Sequence, residues 1–412
     1  MRKKTYRGQG YNITLVKTDK FRQIMVSMRF GRNNPEQLVE RNILSEILLE
    51  SCQKYPNRKL IGQKKEDNYS QGVAGFLSYI NQNSIVKYNT TFINEKYLNK
   101  GHNEKCLDFF MELIFNPIEN FREKDFKLVQ KKMISEFDNK MEDANHYAKI
   151  KASTMAGYQI YYTDENYQKI KKVAKEDVYQ AYLDMIDNDI LDILIVGDVD
   201  ENIIDYFKNK ISNRERKEYA TFWQFPKIKK QEIIEEKQFS QSKLVMIYKL
   251  KAPNLYQKYV QIELLDEILG GGANSRLFLN VREKNSLAYN VGSSYSYFQN
   301  RILIIAGIDA INYEKTIKII KNEINKLKKG QITVDELKNA KKNALNQFKV
   351  GNDQMYTIIN KMFTQKYYCY YSDSEAKRII QETEINDLVD IANKLELDTT
   401  YLLKGVADEK TN

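Results

Sequence analysis

Histidine is almost missing from this chain: His102 and His146 are the only two in 412 residues. They stand in polar, loop-like or helix-edge segments that read as surface, so chemistry that needs two histidines beside an acid has no obvious place here. Cys52, Cys106 and Cys369 are too few and too far apart for a disulfide framework or a zinc ribbon. Their apolar or helical settings suit reduced, mostly buried thiols and a cytoplasmic location. No stretch reaches the roughly 18 apolar residues that a membrane-spanning helix needs. Met1-Arg2-Lys3-Lys4 leads into Thr5-Tyr6-Arg7-Gly8 rather than an apolar signal region. Neither membrane insertion nor export is therefore expected. Although the net charge is +10, no nucleic-acid motif accompanies it, and the lysines alternate with Glu and Asp along predicted helices, as on solvated helix faces. No nucleic-acid partner is expected.

With only five prolines to interrupt it and 42% hydrophobic residues, the chain is expected to fold as globular domains, two on length alone. Self-similarity organises them. Ile193-Leu194-Ile195-Val196-Gly197-Asp198-Val199-Asp200-Glu201 and Tyr401-Leu402-Leu403-Lys404-Gly405-Val406-Ala407-Asp408-Glu409 are both apolar strands running into a Gly and acidic turn, 208 residues apart. A helical pattern precedes each, over 176–186 and 384–395. Upstream, strands at 24–30 and 244–250 are each followed by a helix, the second ending at Gly270. Strands at 84–94 and 301–309, helices at 104–115 and 313–327, and longer helices at 123–141 and 334–348 complete the match. The pattern predicts an α+β protein made of two homologous α/β halves, 1–208 and 238–412, joined by a polar linker at 209–237. Within that linker Phe222-Trp223-Gln224-Phe225-Pro226 is expected to pin it to a domain surface.

The densest block of information is Gly270-Gly271-Gly272-Ala273-Asn274-Ser275-Arg276-Leu277-Phe278, followed by Arg282 and, seven positions on, Tyr289. The glycines are not a phosphate loop, since the G-x-x-x-x-G-K-[ST] pattern is absent; they are expected to end a helix and let backbone approach closely. Arg282 and Tyr289 could donate hydrogen bonds to a peptide carbonyl and to the oxyanion it becomes. By their chemistry alone they could equally be a salt bridge to Glu283 and a half-buried aromatic.

This block closely resembles the second-half signature of the pitrilysin/insulinase zinc metallopeptidases, particularly their mitochondrial-processing-peptidase-like bacterial branch. The resemblance implies two similar halves forming half of a clam-shell chamber for peptides, with Arg282 and Tyr289 reaching toward a zinc site in the opposite half or in a partner. Active members carry an inverted H-x-x-E-H on a first-half helix and a distant Glu as third ligand. Aligned through Lys54-Tyr55-Pro56, those positions here are Asn42, Ser45 and Glu46, with Val129 in the third ligand's place. No zinc or other cofactor is therefore expected in this chain. A hard cation held by Glu46, Glu50 and Glu123 was the other arrangement weighed, and solvated helix carboxylates account for those residues more simply. The segment Gly72 to Ile80 resembles the family's edge strand, on which peptides lie extended; a buried strand is the alternative. The resulting expectation is a non-catalytic subunit that pairs with an H-x-x-E-H-bearing, zinc-loaded paralogue and supplies Arg282 and Tyr289 in trans for processing small or unfolded peptides. A structural or peptide-holding subunit without a part in proteolysis is the alternative.

Overall fold

The computed structural model describes residues 2–33, 36–80, 83–215, 225–252 and 254–406. The first copy of the repeat runs β1 (Arg2–Arg7), β2 (Tyr11–Lys17), β3 (Gln23–Asn33), α1 (Leu38–Ile47), α2 (Arg58–Asp67), β4 (Gly72–Ile80), β5 (Asn83–Ile93), α3 (His102–Phe115), α4 (Glu123–Glu142), α5 (Ala144–Met155), α6 (Asp164–Lys172), α7 (Lys175–Asn188), β6 (Ile190–Gly197) and α8 (Asn202–Lys210). The second runs β7 (Gln231–Lys237), β8 (Ser242–Leu250), α9 (Tyr259–Asp266), β9 (Ala288–Ser296), β10 (Arg301–Ile308), α10 (Tyr313–Lys328), α11 (Val334–Gly351), α12 (Met355–Tyr367), α13 (Asp373–Glu382), α14 (Ile385–Lys394) and β11 (Leu395–Gly405).

The sheets prove the duplication. Sheet A has the order β1-β2-β6-β3-β5-β4 and sheet B the order β7-β11-β8-β10-β9. Without β1 the two orders are the same. In each, the first pair is parallel (β2 with β6, β7 with β11) and the remaining three pairs are antiparallel. The protein is α+β with two homologous halves.

The compact units follow the chain less simply than the repeat does. One comprises Met1–Phe137, Thr163–Phe222 and Gly351–Tyr368; the other comprises Asp138–Tyr162, Trp223–Val350 and Cys369–Asn412. Relative to the successive spans 1–208 and 238–412, the segments carrying α5 and α12 are exchanged, each packing on the sheet of the other copy. The linker's last residues are not a free tether either, because Gln231–Lys237 form the edge strand β7. Phe222, Trp223 and Gln224 of the aromatic stretch lie outside the described residues. Pro226 lies against Gly157, where an added Cβ would come within 3.0 Å of it.

In the first unit, alternation along the strands divides sheet A into unlike faces. Met28, Phe30, Val86, Tyr88, Ile193 and Ile195 form the apolar face with Ile43, Leu44 and Ile47 of α1, all at most 1% exposed. Two polar anchors fix α1 there. The Tyr88 hydroxyl donates to the Leu44 carbonyl at 2.8 Å, and Arg41 pairs with Asp189 at 2.5 Å, both fully buried. The opposite face is polar. Its central cross-strand row reads Asn12, Asp192, Arg29, Lys87 and Phe76 on β2, β6, β3, β5 and β4. Helix α12 covers the middle of this face through Tyr367 Oη and Lys366 Nζ, each 2.6 Å from the Asp192 carboxylate, and through Asn360, which accepts from Arg29 at 2.6 Å.

In the second unit α5 covers the corresponding face of sheet B. Its small residues Ala148 and Ala152, together with Ala156, let the helix sit close to Val245, Ile247, Leu303, Tyr401 and Leu403. Tyr147 and Tyr401 both donate to Glu235 of β7, at 2.5 and 2.6 Å, and so secure the edge strand.

Candidate functional site

Helix α1 presents Asn42, Ser45 and Glu46, and α4 passes beside it. Their chemistry there is that of an ordinary helix contact. The Asn42 amide meets Met133 Sδ at 3.2 Å, Ser45 Oγ donates back to the Asn42 carbonyl at 2.7 Å, and Glu46 is paired with Lys132 Nζ at 2.6 Å. Val129 is buried at 1% exposure. An ammonium group therefore stands where a cation's ligands would have to converge. Glu46 holds the Lys132 pKa above its ordinary value although burial pulls it down. Glu50, the next acid along, is buried and bound to Arg58 at 2.5 Å; burial raises its pKa against the pull of Arg58. Among the described residues no three His, Cys, Asp or Glu side chains are grouped for a metal.

Sequence reasoning missed Lys132 and Met133. They lie three and four residues beyond Val129, on the same stripe of α4, and the i, i+3, i+4 rule would have found them. His102 requires a correction. It is buried at 6% exposure, 3.4 Å from Cys106 Sγ and edge-on to Tyr69 and Phe92, and burial lowers its pKa. Helix α3 starts at His102, and its first turn buries the ring. His146 is exposed and pairs with the helix-capping Asp143 at 2.9 Å.

The Gly72–Ile80 segment is β4, the last strand of sheet A, pairing with β5 on one side only. It is half-buried, with Phe76 46% exposed. Gly75 is required because a Cβ there would collide with the Ser45 carbonyl. The absence of a side chain thus lets β4 lie directly against α1, at the motif position Ser45.

In the second unit the signature block folds as two π-helical segments, Glu267–Gly271 and Phe278–Glu283, a rare form concentrated at functional sites. The helix does not stop at Gly270: the first π segment continues to Gly271 and is capped by Gly272. Gly270 allows close approach to β9, since a Cβ on it would lie 2.6 Å from the Ser293 amide nitrogen. Asp266 fastens the same strand, accepting from Ser293 Oγ at 2.5 Å and the Tyr295 amide at 2.9 Å. Burial raises its pKa to about 6 despite those bonds.

Strand β9 is the edge of sheet B and carries Tyr289, 61% exposed, whose hydroxyl donates to Asp309 at 3.1 Å and whose pKa that bond raises. Arg282, on the second π segment, is half-exposed, with Glu283 at a loose 3.7 Å and the Phe278 ring 5.0 Å from its guanidinium. Arg276, by contrast, is committed to structure through a two-oxygen pair with Glu336 at 2.7 and 2.8 Å. Arg282 keeps donors that a ligand could use, whereas the one O–H of Tyr289 reaches a ligand only by leaving Asp309.

Two copies of one α/β plan, an edge strand against the helix that bears Asn42, Ser45 and Glu46, and a π-helical block leading to a second edge strand define a metallopeptidase-like scaffold without the catalytic side chains. Known proteins agree. The profile of the peptidase M16 inactive domain matches residues 172–344. A probable inactive metalloprotease, YmfF, of Bacillus subtilis is 25% identical over 420 residues, covering 96% of each chain. The same fold occurs in a conserved protein of Enterococcus faecalis (TM-score 0.89, 22% identity, 99% of this chain and all of that one). It recurs in a peptidase M16 inactive domain of Pseudomonas fluorescens (TM-score 0.81, 17% identity, all of both chains). The chain is thus similar to the peptidase M16 inactive domain over residues 172–344 and shares the fold of these M16-like structures, and it carries no H-x-x-E-H.

Proposed function

We propose that this protein is the non-catalytic subunit of a heterodimeric zinc peptidase, which holds small or unfolded peptides and supplies Arg282 and Tyr289 to the zinc site of an H-x-x-E-H-bearing paralogue. One contrast carries the reading. The ligand positions of α1 and α4 are occupied by Asn42, Ser45, the Glu46–Lys132 pair and Val129, whereas Arg282 and Tyr289 remain exposed beside an edge strand. In a partner's site the guanidinium and the phenol would bind the substrate carbonyl and then the oxyanion formed when zinc-bound water attacks, with zinc held by the partner alone. Three free cysteines suit the cytoplasm, the compartment this reading assigns.

Cleavage of a short peptide by this chain, by the H-x-x-E-H paralogue and by their mixture tests it, with R282A and Y289F included. Efficient cleavage by the mixture alone, slowed tenfold or more by either substitution, is the expected result. The other reading, a peptide-holding subunit without a part in turnover, is favoured by the open edge of β4 and its exposed Phe76. It predicts peptide binding by this chain and no change in the paralogue's rate.

A further inference from the structure

Lysines are rarely buried without a partner, because removing an ammonium from water costs far more than packing its stem returns. Lys87 is an exception. It lies on β5 at 6% exposure, directly across from Arg29 on β3, and no acid neighbours it. The one carboxylate in that cross-strand row, Asp192, is already shared by Lys366 and Tyr367. Two residues along the same face, Asn89 is equally buried. Neither Lys87 nor Asn89 has a hydrogen-bond or ion-pair partner among the described residues, and the Asn89 carbonyl oxygen is sealed from solvent.

The duplicated unit supplies an internal comparison. There too a basic pair, Lys249 and Arg301, faces across the corresponding strands β8 and β10. Both members of that pair have partners: Lys249 binds Asp398 at 2.9 Å and the Ala156 carbonyl at 2.7 Å, while Arg301, although its Nε is unbonded, donates to Ser153 at 2.9 Å and stacks on Tyr158 at 4.4 Å. Both cations of the sheet B pair thus have partners, whereas Lys87 of sheet A has none among the described residues.

The cation and the amide adjoin the peptide-holding strand. Phe76 of β4 is the cross-strand neighbour of Lys87, and Ala74 that of Asn89. We infer that Lys87 and Asn89 form a carboxylate subsite for a peptide lying along β4, Lys87 and the Asn89 amide group donating to the carboxylate. The inference rests on the peptide-holding reading of β4. Burial and then Arg29 lower the Lys87 pKa to about 7, which is the cost that an incoming anion would relieve. An Asp or Glu side chain and a peptide C-terminus both present this carboxylate chemistry.

Calorimetric titration of the full chain with three octapeptides tests this: one end-capped with a central Glu, one end-capped with Gln in its place, and the Gln peptide with a free C-terminal carboxylate. The Glu peptide, the free-carboxylate peptide or both should bind about tenfold more tightly than the capped Gln peptide, equivalent to about 1.4 kcal/mol. Which one gains identifies the source of the carboxylate. In K87M the difference should vanish. Equal binding of all three, or a preference that survives K87M, overturns the subsite. If no peptide binds, the β4 reading falls while the subsite stays testable. The NMR signal of isotopically methylated Lys87 in the wild-type chain should then titrate at higher pH when acetate is added, and an unmoved midpoint overturns the inference.

Discussion

Replacing Lys87 with methionine should stabilise this protein, and the gain should depend on pH in a defined direction. The side chains have similar length, so Met fills the space that the lysine stem occupies, without its charge. The folded pKa of about 7 lies below the ordinary 10.5, so the unfolded chain binds more protons than the folded one between these values. Wild-type stability contributed by this group therefore rises with pH through that window and is lowest below pH 7. At about 1.4 kcal/mol per pH unit, the charged lysine costs about 5 kcal/mol, and still about 4 kcal/mol at pH 7, before relaxation or water entry reduces it. Calorimetric melting of wild type and K87M at several pH values between 6 and 10 measures the difference. K87M should be the more stable by a few kcal/mol at pH 6, with the advantage shrinking toward pH 10. A difference that stays constant with pH, or a less stable K87M, would refute the argument that an unpaired ammonium is buried there.

Other substitutions test the packing that surrounds the site. G75A drives a methyl group into the Ser45 carbonyl and should cost about 1–3 kcal/mol; faster amide exchange along β4 and weaker peptide binding would accompany it. D192N leaves Lys366 without its counter-charge beneath α12 and should destabilise by about 3 kcal/mol, a loss that D192N combined with K366M should largely recover in denaturant titrations. Rebuilding the metal motif with N42H, S45E, E46H and V129E should not by itself produce stable zinc binding, because Lys132 remains beside α1. Adding K132A should allow it, and zinc content after dialysis distinguishes the two proteins.

Much of this was legible along the chain. Strands such as Gln23–Asn33 and Ser242–Leu250 and helices such as Tyr313–Lys328 stand within three residues of their sequence patterns, because each buries one periodic face. The loss of the zinc motif could likewise be read from identity alone, since Asn42 and Glu46 stand where the resemblance puts two histidines, and Ser45 and Val129 where it puts two carboxylates. Short or polar elements were not legible: β1 is almost wholly exposed and basic, β7 alternates between half-buried and exposed residues, and α2 is amphipathic only around Ile61. Their conformation is imposed by neighbours, through β2, β11 and the cluster of Cys52 and Phe109.

The sequence by itself determined the duplication and the absence of an H-x-x-E-H motif, both of which depend on residue identity and local periodicity. Only the tertiary structure decided that α5 and α12 exchange sheets, that His102 is buried, that Lys132 neutralises Glu46, and that Lys87 lies unpaired beside β4. Each of these depends on which side chains from distant parts of the chain meet, and a local hydrophobic period carries no record of that meeting.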